Sequence, residues 1–161
     1  METASKILTA EALTLWRRRM REAKLRVVVT NGCFDLLHAG HVAYLEAARS
    51  LGDVLLVGLN GDESVRQLKG PARPLNVEAD RARVLAALEC LSVVVIFPEK
   101  RAVTFLTACE PDIYVKGGDY TLETIDGDER RAVESSDGQI VFIPFLAGRS
   151  TSGLVTKIQT L

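Results

Sequence analysis

Apolar positions along this chain follow two alternating rhythms. Leu13, Trp16 and Met20 recur at helical spacing and predict an amphipathic helix over residues 9–24. The β-branched run Val27-Val28-Val29 within Arg26–Thr30 then reads as a strand, and Asn31-Gly32 reads as the turn that ends it. Helical periodicity returns over residues 40–50 through Val42, Leu45 and Ala48, before a second apolar strand, Val54–Leu59, closed by Asn60-Gly61-Asp62. Beyond it the spacing predicts a helix over about 77–90, a strand over Ser92–Phe97 broken by Pro98, and a helix over 99–109 closed by Pro111. A short strand, Asp112–Val115, a helix over Gly127–Ser135, a last strand, Ile140–Ile143, and a final helix, Ser150–Thr160, complete the series.

Strands apolar throughout their length are buried on both faces, and helices between parallel strands supply right-handed crossovers. The pattern therefore predicts an α/β fold, a Rossmann-like doubly wound, mainly five-stranded parallel sheet with helices on both faces. No repeat, low-complexity tract or linker divides the chain. It is expected to form a single domain over 1–161, with 1–25 as an N-terminal helical extension. In such a sheet ligands sit beyond the carboxyl ends of the strands, where the strand order reverses. Chemistry should then lie just after strands.

Composition narrows the classes. With 47% hydrophobic and 25% charged residues and a formal net charge of −1, no global field draws the 161-residue chain to nucleic acid or to a membrane. The basic run Arg17, Arg18, Arg19, Arg21, Lys24 and Arg26 reads as a solvated helix face. No apolar stretch reaches membrane-spanning length, and the basic-then-apolar pattern of a secretory signal is missing from the first residues. Cys33, Cys90 and Cys109 are widely spaced and odd in number, which suits reduced thiols and a cytoplasmic location.

The most informative segment follows the first predicted strand: Thr30-Asn31-Gly32-Cys33-Phe34-Asp35-Leu36-Leu37-His38-Ala39-Gly40-His41. It holds both histidines of the chain at the entry to a helix, where unpaired backbone N–H groups and a partial positive charge favour phosphate. Gly32 permits a tight turn, and Gly40 leaves room for phosphate oxygens near the backbone. Two imidazoles there can donate to charge developing on a phosphoryl group. Histidines with a purely structural task are the competing reading. Metal ligation is disfavoured, because neither HExxH nor CxxC is present, and neither a Walker A loop nor GxGxxG supports a kinase or a dinucleotide enzyme.

Gly32-Cys33-Phe34-Asp35 followed by His38-Ala39-Gly40-His41 resembles the GxFDxxHxGH signature of the cytidylyltransferase-like nucleotidyltransferases. More narrowly, the chain is similar over nearly all its length to the adenylyltransferases of ADP-heptose synthesis, which occur alone or fused to a sugar kinase; this chain looks like the stand-alone form. That match rests on Val29–Asp35, Leu68-Lys69-Gly70-Pro71-Ala72-Arg73-Pro74-Leu75-Asn76, Val115-Lys116-Gly117-Gly118-Asp119-Tyr120 and Ser150-Thr151-Ser152. The family's usual final triplet is Ser-Thr-Thr, so Ser152 keeps a hydroxyl and loses a methyl.

The resemblance implies transfer of AMP from ATP to D-glycero-β-D-manno-heptose 1-phosphate, giving ADP-heptose for lipopolysaccharide or other surface glycans, with magnesium accompanying ATP. It also implies a homo-oligomer. His38, His41 and Lys69 would be catalytic. The nucleotide would be bound by Asn31, Gly32, Cys33, Phe34, His38, Gly40 and His41, with Lys116, Gly118, Asp119, Ser150 and Thr151. Asp35, Lys69, Arg73 and Arg81 would face the sugar phosphate or the reacting phosphates, with Asp35 either anchoring its loop or accepting from sugar hydroxyls. Lys69 and Arg73, in a Gly/Pro-punctuated loop, suit a polyphosphate on charge alone, although a solvated loop has the same composition. Ser150 and Thr151 are first of all helix caps, and Gly117-Gly118 is first of all a turn. Arg149 adds a cation beside the cap. The rivals are a cytidylyltransferase acting on glycerol 3-phosphate or a similar ester, and a nucleotide-binding sensor without chemistry. Retention of His38, His41 and Lys69 together speaks against the second.

Overall fold

The computed structural model describes residues 2–118, 120–144 and 148–161. A 3-10 turn (Thr3–Lys6) leads into β1 (Ile7–Leu8), α1 (Ala10–Glu22), β2 (Val27–Gly32), α2 (Ala39–Arg49), β3 (Val54–Asn60) and α3 (Asp62–Lys69). Then come α4 (Glu78–Ala86), β4 (Val93–Phe97), α5 (Val103–Cys109), β5 (Ile113–Gly117), α6 (Gly127–Glu134), β6 (Gln139–Ile143) and α7 (Thr151–Gln159). The strands form one parallel sheet in the order β1-β4-β3-β2-β5-β6. The sequence pattern predicts five strands, and the sheet has six. The extra one, β1, lies inside the segment read as a helical extension and pairs through Ile7↔Val94 and Leu8↔Val95. Two residues are too few to display an alternating pattern, so periodicity cannot reveal them.

The continuous apolar strands divide by parity between two cores. Val27, Val29, Leu56, Val93, Val95, Phe97 and Tyr114 meet Leu13 of α1, Phe105 and Leu106 of α5, and Val133 of α6. Val28, Leu55, Val57, Leu59, Val94, Ile113 and Val115 meet Tyr44 and Leu45 of α2 and Leu85 of α4 on the other face. Period-2 geometry sends neighbours to opposite faces, so a strand covered on both sides must be apolar at every position. Gly58 is required for this packing, because a Cβ there would stand 2.5 Å from Phe105 Cε1. Among the described residues, no helix is long and apolar enough to cross a membrane.

One interruption in the sheet prepares the site. β2 pairs with β3 over six rungs, from Val27↔Val54 to Gly32↔Leu59. Its pairing with β5, among the described residues, is Val28↔Ile113 and Val29↔Tyr114 alone. Beyond that point side chains replace the ladder: the Tyr44 hydroxyl donates to the Val115 carbonyl at 3.1 Å and lies 2.6 Å from Thr30 Oγ1, with Thr30 and Tyr44 both buried. β2 and β5 are also where the strand order reverses, so the crevice between their carboxyl ends is where an open α/β sheet takes a ligand.

Candidate active site

The loop from Gly32 to His38 carries the chain from β2 into α2. Within it Phe34 sits at φ 43°, a left-handed conformation that is strained for a bulky side chain. Its nearly buried ring packs 5.4 Å from His41, which helps hold the conformation. His38 is the N-cap of α2, and its Nδ1 accepts the Gly40 N–H at 3.1 Å. An acceptor Nδ1 fixes the tautomer: in the neutral ring the proton sits on Nε2, which is left free to donate. His41 stacks on His38 with ring centroids 3.9 Å apart, and its Nδ1 is buried without a hydrogen-bond partner among the described residues. Burial, and then the neighbouring His38, push the His41 pKa down to about 4. His38 is also lowered, by burial and then by the Arg149 charge. Both rings are therefore neutral near pH 7 in the ligand-free protein.

A second helix start closes on the same place. Ser150 caps α7 by accepting the Gly153 N–H at 3.0 Å, and Thr151 Oγ1 donates to the Leu36 carbonyl at 3.3 Å. A Cβ on Gly40 would lie 3.0 Å from both the His38 ring and Arg149 Cβ, so a side chain there would press the two helix starts apart. The positive ends of two helices, two neutral imidazoles and the Arg149 cation thus converge, an arrangement suited to phosphate oxygens.

Across the β2–β5 crevice stand Asn31 and Lys116. Asn31 Oδ1 accepts from the Tyr114 hydroxyl at 2.6 Å and from Lys116 Nζ at 3.2 Å, and Lys116 also pairs with the buried Glu129 at 2.9 Å. Gly118, at φ 106°, donates its N–H to the Ile143 carbonyl at 2.9 Å and so ties this loop to β6. Asp119 lies outside the described residues.

Three residues expected to face phosphate or sugar have other work. Arg81 is 2% exposed; its Nε donates to the Asn76 carbonyl, Nη1 to the Cys33 and Asn60 carbonyls, and Nη2 to Asp62. A guanidinium so engaged is a bracket holding the β2 loop to α3 and α4, not a free cation for phosphate. Asp35, buried in the loop, accepts the Leu75 and Asn76 N–H groups on Oδ1 at 2.7 and 3.1 Å. Arg73 Nε lies 2.7 Å from Asp35 Oδ2, so both carboxylate oxygens face inward, and the loop-anchor expectation for Asp35 describes it better than sugar binding. Lys69, the last residue of α3, is exposed. Cys33 lies within the electrostatic reach of Lys69, and its thiol is half-buried, with burial pushing its pKa up.

Sequence reading missed Tyr114 and Glu129. An acid in the first turn of α6 looks like an ordinary complement to the helix dipole, and a tyrosine inside a strand looks like core. Nothing in the local pattern separates them from those roles.

Comparison with known proteins agrees with the fold and narrows the family. The bifunctional protein HldE of Trichlorobacter lovleyi is 49% identical over 157 residues, which is 98% of this chain and 32% of the relative. HldE of Methylobacillus flagellatus is 47% identical over 155 residues, 96% of this chain and 31% of the relative. The chain thus spans about a third of the length of the curated relatives it matches. Two solved structures share the fold. The lipopolysaccharide core biosynthesis protein of Thermoplasma volcanium superposes with a TM-score of 0.61 at 24% identity, covering 76% of this chain and 97% of that one. Pantoate-beta-alanine ligase of Francisella tularensis, solved with beta-gamma ATP and beta-alanine, gives 0.60 at 14% identity, covering 96% and 72%. The family model described as cytidylyltransferase-like matches residues 29–148, from within β2 to just short of α7, and the chain belongs to that family.

Proposed function

We propose that this protein transfers AMP from ATP to D-glycero-β-D-manno-heptose 1-phosphate, releasing pyrophosphate and giving ADP-heptose. The observation that carries the transfer chemistry is the pair of stacked, neutral imidazoles set between two helix starts. The heptose acceptor rests on the resemblance of the Leu68–Asn76 and Val115–Tyr120 segments, supported by the high identity to HldE.

A phosphate monoester has its second pKa near about 6, so the attacking oxygen is already an anion at neutral pH and needs no general base. The obstacle is repulsion between that anion and the triphosphate. His38 offers Nε2–H as a neutral donor, because the Gly40 N–H already occupies Nδ1. His41, inward of it and desolvated, is the second donor, and an anion bound against either ring raises its pKa and favours the protonated form. The positive dipole ends of α2 and α7 supply fixed partial charge that needs no reorganisation as charge moves to the leaving pyrophosphate. Lys69, exposed at the end of α3, is free to swing over the phosphates once they are bound. Magnesium enters with the ATP substrate. Among the described residues no group of three His, Cys, Asp or Glu side chains is placed to hold a metal.

A four-way measurement tests the reading. Pyrophosphate release is followed with ATP or CTP, each paired with heptose 1-phosphate or glycerol 3-phosphate. Release with ATP and the heptose ester alone is expected. Faster release from CTP with glycerol 3-phosphate would replace the proposal by its cytidylyltransferase rival.

A further inference from the structure

The crevice between β2 and β5 contains a hydrogen-bond cluster whose protons can be counted. The Tyr114 hydroxyl has one proton and two acceptors within reach, Asn31 Oδ1 at 2.6 Å and Glu129 Oε2 at 3.0 Å. Lys116 Nζ reaches the same two oxygens, at 3.2 and 2.9 Å. Tyrosine and lysine together supply what neither supplies alone. An ammonium has no acceptor, so the Asn31 atom that faces it must be the oxygen. This fixes the amide: Oδ1 turns inward and the NH2 turns away from the cluster. Lys116 keeps one proton beyond the two it commits, and its ammonium stands over the Tyr114 and Tyr120 rings, at 5.2 and 5.6 Å from their centroids.

Glu129 holds this arrangement together. It is 6% exposed, and its Oε1 accepts the Ala102 N–H at 3.1 Å, which ties α6 to the start of α5. A carboxylate so buried is costly without partners; here it has an ammonium, a hydroxyl and an amide. Burial, and then the Glu129 charge, raise the Tyr114 pKa well above its usual value, so the phenol remains a donor. Asn31 and Lys116 are only half-buried, unlike Glu129 and Tyr114, and so form the outward side of the cluster.

We infer that Glu129 is a positioning residue of the nucleotide site: by holding Lys116 and Tyr114 it turns the Asn31 amide N–H groups, and one Lys116 N–H, into the crevice, where they recognise an acceptor atom of the nucleotide. The surface presented is donor-only. It rests on the reading that this crevice takes ATP.

The test uses the full chain with ATP and magnesium as the probe, and reads both direct ATP binding and steady-state turnover. Glu129→Gln keeps the size and the acceptor for Ala102 but sets an amide NH2 against the ammonium. It should weaken ATP binding by about tenfold, raising KM while leaving kcat within about twofold. Asn31→Asp keeps both inward acceptor bonds and exchanges the outward NH2 for an oxygen. It should weaken ATP binding at least as much with an unchanged melting temperature, so it decides the matter if Glu129→Gln does not fold. A stable Glu129→Gln with wild-type ATP affinity, or an Asn31→Asp that binds ATP normally, overturns the inference. Wild-type protein that fails to bind ATP overturns it as well. Wild-type protein that binds ATP but adenylylates no heptose ester removes the proposed reaction, and the variants' binding ratios still judge Glu129.

Discussion

Two polar clusters flank the loop after β2, and the sequence offers residues of both as parts of the ligand site. On one side Asp35, Arg73 and Arg81 turn inward: Arg81 alone makes four hydrogen bonds, and the Asp35 carboxylate is occupied by two backbone amides and a guanidinium. On the other side, among the described residues, His38 Nε2 and the buried His41 Nδ1 have no hydrogen-bond partner. The first cluster is engaged within the protein, Arg81 by hydrogen bonds and Asp35 Oδ2 with Arg73 Nε by an ion pair that lacks hydrogen-bond alignment, whereas the second leaves imidazole nitrogens open to a ligand. Residue type identifies polar groups suited to phosphate, but only a count of satisfied donors and acceptors tells which remain available to a ligand.

The largest expected effect breaks the comparison from its structural side. Arg81→Met removes the bracket and leaves Asp62 and three carbonyls short of a donor. It should lower stability by about 3–5 kcal/mol in denaturant unfolding. A variant that keeps its stability but loses activity would move Arg81 into the reactive cluster. Next comes His41→Ala, which should reduce turnover by on the order of 10²-fold, about 2.7 kcal/mol of transition-state stabilisation, with little change in melting temperature. Near-normal turnover in the folded variant would dissolve the distinction drawn here.

The smallest effect sharpens it. His41 has a folded-state pKa of about 4 against an ordinary 6.5, so between those values the unfolded chain binds a proton that the folded chain refuses. The stability this contributes is complete above pH 6.5, declines as the pH falls, and levels off near pH 4. Thermal melts of ligand-free protein across that window should show the slope, and His41→Gln should flatten it. Identical slopes in the two proteins would mean that the ring is not held neutral by its surroundings. ATP, by placing negative charge beside the ring, should oppose the decline and be bound with proton uptake.

Much of this organisation was legible before any coordinates. Strands read at Arg26–Thr30, Val54–Leu59 and Ser92–Phe97 are found at Val27–Gly32, Val54–Asn60 and Val93–Phe97, because burial on both faces leaves few polar positions to obscure them, while Asn31-Gly32, read as a turn, form the last rungs of β2. The helix start at Ser150 was marked by its hydroxyl cap, whereas the sequence reading placed the α2 helix at 40–50 and did not show that His38 caps it. Arg81 was misjudged for a physical reason: a cation at the beginning of a helix near a glycine-rich loop has the same local signature whether it meets phosphate or three carbonyls of its own chain. Glu129 and Tyr114 were invisible because their significance lies in contacts across the sheet, to residues 13 and 83 positions away or more. Such contacts leave no periodicity.

The two rungs of β1 carry a consequence for solubility. They cap the outer side of β4, whose residues Val93, Val94, Val95, Ile96 and Phe97 are apolar without exception. An uncovered strand of that composition is a template on which identical molecules can stack edge to edge. Ile7 and Leu8 occupy the middle of that template, so a few residues ahead of the first helix act as a guard against fibre-like self-association.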